Sequence, residues 1–268
     1  MPLPPLPPAF RWTTEPWGPA LVCDPLAEVA PHLFTTRALS LRMGTGAGTV
    51  ETEGWGELAR SMDVAESALV RLRQVHGRDV VIVRRGDAPP PTSGPPEADV
   101  LVSDDPRAAL AVRGADCVPL LLADSVTGAV GAAHAGWRGT AAGTTVAAVR
   151  AMAAAFGSKP SDLVAAVGPS IGPCCYRVGG DLVGAFLAAG HPRELVDRWF
   201  VHADGLRLDL WSATRDQLVG AGLNVGAVHL STVCTACHPE HCFSFRRDSA
   251  TTGRLAGVIR ARQQGPTS

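Results

Sequence analysis

The segment GAVGAAHAGWRGTAAGTTVAAVRAMAAAFG, residues 128–157, carries the change of period that decides the fold. Its apolar run Ala129–Ala133 reads as a strand and delivers His134 at its end. Gly136, Trp137, Arg138 and Gly139 then mark a tight turn, and from Thr140 an alanine-rich pattern predicts one long helix ending at Gly157. A functional side chain at the mouth of a strand, just before a turn, is held by the rigid sheet behind it.

The flanking sequence repeats this theme. ADVLVSD (98–104) reads as a strand, and AALAVRGADCVPLLLAD (108–124) as two strands broken at Gly114–Cys117. LVRLRQVHGRDVVIV (69–83) gives two strand-like runs around His76-Gly77, and DLVAAVGPSIG (162–172) a strand entering a glycine-proline loop. Asp181–Ala189 and Leu210–Ala221 suit helices; VGAVHLST (225–232) suits a strand, and RLAGVIRA (254–261) a strand or short helix. Strands and helices alternate irregularly with hairpin-like neighbours, which predicts an α/β (α+β) sandwich with mixed β-sheets rather than a doubly wound sheet. The only glycine-rich run, GTGAG at 44–48, does not open a helix after a strand, so a dinucleotide fold has no support.

The 268 residues carry 46% hydrophobic and 18% charged side chains with a net charge of −1, which fits an ordinary globular protein and gives no support to a basic nucleic-acid footprint. No run reaches the ~20 apolar residues of a membrane helix. The proline-rich start MPLPPLPPAFRW (1–12) has neither a basic nor an apolar leader region and reads as an arm rather than a signal peptide. A single catalytic domain is expected over 13–262, with a tail at 263–268; GDAPPPTSGPPEAD (86–99) is a surface loop within it. Seven cysteines without an export signal point to reduced thiols in the cytoplasm.

His76, Cys117 and His134 each lie beside a glycine near a strand-like run. Two imidazoles and a thiolate are a zinc donor set, and three protein ligands leave the fourth position open, the catalytic arrangement. The alternatives are three unrelated buried residues, or a metal-free nucleophile Cys117 with His134 as base and Arg113 and Arg138 nearby. CTACHPEHC (234–242) offers half a zinc site, whose other half has to come from a few residues away through Pro239, or else free thiols packed in a loop. Cys174-Cys175 reads as a buried loop lining a pocket, since adjacent thiols rarely bridge each other. Arg37, Arg246, Arg247 and Arg254 are guanidinium candidates for phosphate or for a solvated surface, and Arg138 stands where a turn enters a helix and amides favour anions.

RQVHG, GADCVPLLLAD, AAHAGWRGT, GPSIGPCCYRVG and CFSFRRD…TGRLAGVI together resemble the laccase-domain family, in order, from Arg73 to Ile259. Its members were first labelled multicopper polyphenol oxidases and later recognised as zinc-dependent purine nucleoside phosphorylases with adenosine deaminase activity. The resemblance implies Zn²⁺ on His76, Cys117 and His134. It implies purine nucleoside (adenosine, inosine or methylthioadenosine) and phosphate as substrates, and a sandwich fold similar to cysteine-deamidase toxins. A peptidoglycan-precursor editing hydrolase is the family's other assigned role, and a non-catalytic interaction protein stays open. The segment after Thr36-Arg37, residues 38–62, departs from the family by lacking its L-N-L-G stretch, while Arg37 is kept.

Copper oxidase chemistry is disfavoured: a multicopper site needs several H-x-H pairs, and the eight histidines form none. For the zinc reactions, Asp116 is the acid–base candidate, or else a partner orienting a ligand imidazole. Arg37, Arg138 and Arg247 would hold phosphate, Gln74 would bond base or sugar or cap a strand end, and Trp137 would stack on a purine or pack under the turn.

Overall fold

The computed structural model describes residues 2–41, 53–87 and 94–263. The glycine run 44–48, most of the departing segment's first half, the middle of the proline-rich loop and residues 264–268 lie outside them.

Fourteen strands occur among the described residues: β1 (Phe10–Glu15), β2 (Gly18–Cys23), β3 (His32–Thr35), β4 (Leu69–Val70), β5 (Val80–Val83), β6 (Val100–Ser103), β7 (Ala109–Gly114), β8 (Val118–Asp124), β9 (Val130–Ala135), β10 (Leu163–Val167), β11 (Phe200–Ala203), β12 (Gly205–Leu208), β13 (Val228–Leu230) and β14 (Leu255–Arg260). One six-stranded sheet runs β1-β2-β3-β14-β7-β4 and the other β13-β10-β8-β9-β6-β5, while β11 and β12 pair separately. Both large sheets are mixed: β4 joins β7 in parallel, as do β5 with β6 and β10 with β13, and the other pairs are antiparallel. The mixed sandwich expected from the sequence is what forms.

Strand parity explains the layers. In β8, Leu121 and Ala123 pack between the sheets with Phe34, Leu110, Val112 and Ile259. Leu120 and Leu122 face the other way, onto Met152 and Ala148 of the helix Thr144–Phe156. Helix Glu53–Ser61 closes the outer face of the first sheet with Trp55 and Leu58. A strand covered on both faces needs a continuous apolar run rather than alternation, which is why VPLLLA carries no polar interruption.

Two local expectations are corrected. The helix predicted from Thr140 to Gly157 is two, Trp137–Ala142 and Thr144–Phe156, broken at Gly143, whose φ of +85° lies in the left-handed region open to glycine. His134 does not follow its strand but lies within it, as the next-to-last residue of β9. Among the described residues no helix is long and apolar enough to cross a membrane.

The turn from β2 to β3 is tied by the buried His32, whose Nε2 accepts the Cys23 amide at 3.0 Å while Nδ1 donates to the Ala30 carbonyl at 3.0 Å. Acceptance at Nε2 requires a neutral ring. Burial lowers its pKa to about 4 from the usual 6.5. Above pH 6.5 the ring is neutral in folded and unfolded chains alike. As the pH falls, the unfolded chain takes up the proton first, so stability is lost between pH 6.5 and 4 and levels off below. The loss from this group amounts to about 3 kcal/mol. Urea unfolding at pH 7 and pH 4.5 is expected to show a smaller difference for His32→Gln than for the parent chain, by about 2–3 kcal/mol; equal differences would refute the assignment.

Candidate metal centre

Strand register brings the trio together. β9 pairs with β8 so that His134 faces Pro119, two residues from Cys117 in the turn between β7 and β8. On its other side β9 pairs with β6, and the His134 amide donates to the Asp99 carbonyl at 2.8 Å. β6 in turn runs parallel to β5, and the loop entering β5 carries His76. Side-chain parity puts His134 and Asp99 on the same face, and His134 Nδ1 bonds Asp99 Oδ1 at 2.8 Å.

Asp99 does more than hold one ring. Its carboxylate accepts the amides of Val75 (3.2 Å), His76 (3.0 Å) and Gly77 (2.6 Å), so one buried carboxylate fixes both the His134 ring and the loop bearing His76. Burial would raise its pKa, but the bonds from His134, Gly77 and Val75 outweigh it and hold the carboxyl below the usual range. The two imidazoles end up edge to face, 4.9 Å apart at an interplanar angle of 75°.

One ligand atom from each of His76, Cys117 and His134 lies within 4.8 Å of the others. A tetrahedral ion bonded at ~2.1 Å to nitrogen and ~2.3 Å to sulfur spaces its ligand atoms by about 3.4–3.8 Å, inside this envelope. With Nδ1 of His134 engaged by Asp99, its Nε2 is left for the ion. Gly136 keeps the space open: a Cβ there would stand 2.7 Å from Cys117 Sγ and 3.1 Å from His76 Cδ2. His76 is exposed, Cys117 half-buried and His134 buried, so the trio opens to solvent on one side only. This is not a set of three unrelated buried residues.

Burial would push the Cys117 thiol up. The charge of His134 and hydrogen bonds from His134 and His76 outweigh it and bring the pKa down to about 6. The same pairing raises His134 against its own burial, with the thiolate the strongest opposing cause and Asp99 the next. The thiolate form of Cys117 is therefore favoured beside the two imidazoles. His76 (φ +61°) and Asp116 (φ +93°) both hold positive φ, strained backbone of the kind that collects at functional sites.

The remaining sequence candidates divide. Asp116 sits beside Cys117, but its oxygens accept Thr235 Oγ1 and the Arg246 amide, each at 2.6 Å; the carboxylate that orients the imidazole is Asp99. Gln74 spends its amide on the Arg113 backbone, donating to the carbonyl at 2.7 Å and accepting the N–H at 2.8 Å. Arg247 forks onto Asp248 and donates to the Thr235, Ala236 and Cys242 carbonyls. Arg37 bonds the Pro239 carbonyl and lies over Phe243. Arg138 is exposed and stacks on Trp137, its guanidinium 4.4 Å from the ring centre.

Sequence reasoning passed over two residues. Asp99 stood in ADVLVSD as an ordinary strand-end acid, and only its cross-strand partner gives it a role. Tyr176 lies under the Arg246 guanidinium at 5.1 Å. Burial pushes its phenol up to about 12, Cys117 and Asp116 adding to this and Arg246 and Arg138 opposing it, so it shares the trio's electrostatic neighbourhood.

Residues 28–262 match a family model described as multi-copper polyphenol oxidoreductase laccase. A purine nucleoside phosphorylase of Deinococcus radiodurans is 38% identical over 95% of this chain and 98% of its own length. Another, from Streptomyces coelicolor, is 42% identical over 75% of this chain and 78% of its own. The crystal structure of YlmD from Geobacillus stearothermophilus superimposes with a TM-score of 0.79 at 33% identity, covering 94% of this chain and 99% of that one. A hypothetical protein YfiH from Bacillus licheniformis gives a TM-score of 0.79 at 30% identity, over 91% and 96%. With the family model matching residues 28–262 and a relative 38% identical over 95% of this chain, the chain belongs to the multi-copper polyphenol oxidoreductase laccase family.

Proposed function

We propose that this protein is a zinc-dependent purine nucleoside phosphorylase of the cytoplasm. It would convert adenosine, inosine or methylthioadenosine and phosphate to free base and the sugar 1-phosphate, and deaminate adenosine at the same centre. The observation that carries the proposal is a His₂Cys donor set, ordered by Asp99 and open on one side. The names of its relatives from Deinococcus and Streptomyces support the substrate class.

The donor set favours zinc over a multicopper oxidase. Among the described residues, which include all eight histidines, the trio is the only candidate metal cluster containing imidazole. A site for several coppers would need more. When bound, zinc supplies a Lewis acid that polarises an oxygen at its open position.

The chain's own residues supply the rest. Phosphorolysis forms a bond from a phosphate oxygen to C1′ and breaks the bond to N9, and the purine leaves with the electron pair and takes up a proton. Arg138, whose guanidinium has no ion pair among the described residues, would hold phosphate. Asp116, fixed by Thr235 and Arg246, is the group to pass a proton beside Cys117. Gln74 and Arg247 shape the walls through backbone bonds, and their substrate contacts would be made at the expense of these.

Cys117, His134 and Asp99 also stand in the order of a cysteine-hydrolase relay, which favours a metal-free Cys–His hydrolase as the second reading. A relay has no use for His76. Purified protein is therefore to be given adenosine with and without phosphate, and in parallel a muramyl-peptide precursor, with products separated by chromatography and zinc counted on the same sample. Phosphate-dependent release of adenine and ribose 1-phosphate is expected. His76→Ala and His134→Ala are each expected to lose the zinc of this centre together with turnover while keeping the far-ultraviolet circular dichroism of the parent. Full activity in a zinc-free variant would sink the proposal.

Asp99→Asn tests the orienting role. An amide presents one acceptor and two donors to four hydrogen-bond donors. Zinc affinity, titrated against a competing chelator, should fall by ~10–100-fold. An unchanged affinity would show that the imidazole does not depend on this carboxylate.

A further inference from the structure

We propose that the chain carries a second metal site: one divalent zinc held by Cys174, Cys175, Cys234 and Cys237, closed and structural rather than catalytic.

Topology creates it. β10 and β13 are parallel neighbours, so the loops leaving their ends run side by side. The pairing continues beyond the strands: Ser170 N–H donates to the Val233 carbonyl at 3.2 Å and Thr235 N–H to the Ser170 carbonyl at 3.1 Å. Each loop then turns. The Cys175 amide donates to the Gly172 carbonyl at 3.0 Å, and the Cys237 amide to the Cys234 carbonyl at 3.2 Å. The C-x-x-C half-site thus finds its other half some 60 residues earlier in sequence, on the adjoining loop, and not through Pro239. Nor is Cys174-Cys175 buried in a pocket wall: Cys174 is exposed and Cys175 half-buried.

The four sulfurs all lie within 4.8 Å of one another. Cys237 Sγ stands 3.4 Å from Cys175 Sγ and 3.5 Å from Cys174 Sγ. A tetrahedral ion at ~2.3 Å from each sulfur needs edges of about 3.8 Å, so a small expansion admits it. A disulfide would join two of these thiols and strand the other two, whereas a tetrathiolate uses all four. The Gly172 N–H donates to Cys234 Sγ at 3.3 Å, the kind of bond that stabilises a ligating thiolate. Arg207, itself paired with Asp204, donates to the Pro173 and Cys174 carbonyls and so fixes the backbone of the cysteine pair. Cys242 and Cys23 are buried elsewhere and take no part. Binding releases the thiol protons to solvent and involves no change of oxidation state.

The site ties two active-site walls together. Cys175 precedes Tyr176, which lies under Arg246; Cys234 precedes Thr235, which bonds Asp116.

Cobalt(II) loading of the reduced full-length chain tests the proposal. The parent is expected to bind two ions, His76→Ala one and Cys237→Ser one. His76→Ala should keep the strong near-ultraviolet thiolate-to-metal band, and Cys237→Ser should lose most of it. A single ion in the parent that His76→Ala loses would overturn the proposal. So would two ions retained with an unchanged spectrum in Cys237→Ser, or a Cys237 disulfide to Cys174 or Cys175 in protein isolated without reductant. A single ion kept in His76→Ala and lost in Cys237→Ser would count against the trio instead. Should Cys237→Ser not fold, the ion count and spectrum of the parent and of His76→Ala decide alone.

Discussion

The structure depends on the Asp99 carboxylate. It receives His134 Nδ1 and three consecutive amides from the loop of His76, and so converts two distant segments into one site. An ionised carboxylate that is this buried is costly unless fully bonded, and four donors meet that cost. The same bonds fix which imidazole nitrogen remains free. Were Asp99 absent, His134 could turn, and the loop before β5 would lose the anchor that holds His76 at positive φ.

Why these segments meet follows from β8, β9 and β6 at the centre of the second sheet. Each is buried on both faces, so each reads in the sequence as an apolar run, and the runs were legible. The trio was legible too, because His and Cys beside glycine stand out against such runs. Legibility failed where partners are chosen by pairing rather than by local pattern. Asp99 is one acid among several strand-end acids until β6 is set beside β9. Cys174 and Cys175 find Cys234 and Cys237 only because β10 and β13 are parallel neighbours. Gly143 looked like a tolerated helix glycine, and its left-handed φ becomes visible only when the two helices part.

The arginines teach the converse. Arg247 and Arg37 looked equally suited to phosphate, yet Arg37 donates to a backbone carbonyl of the 235–242 loop and Arg247 divides its donors between that loop's carbonyls and Asp248. A guanidinium has five donors, and a loop rich in unpaired carbonyls competes for them as effectively as an anion does. Arg138 differs because it leaves the turn toward solvent, with the face of Trp137 beneath it.

These observations join at Asp116. One of its oxygens takes the Thr235 hydroxyl, next to Cys234, and the other the Arg246 amide, at the start of the short helix Phe245–Asp248. Arg246 then covers Tyr176, next to Cys175. The path from the cysteine cluster to Cys117 therefore runs twice, once through each cysteine pair, and both branches end at the residue preceding it. A carboxylate gripped from two sides at a strained φ cannot drift from the thiolate beside it without disturbing both loops. A metal cross-link on the far side of those loops, as proposed, would hold Asp116 and Cys117 in register while the open side of the trio stays free.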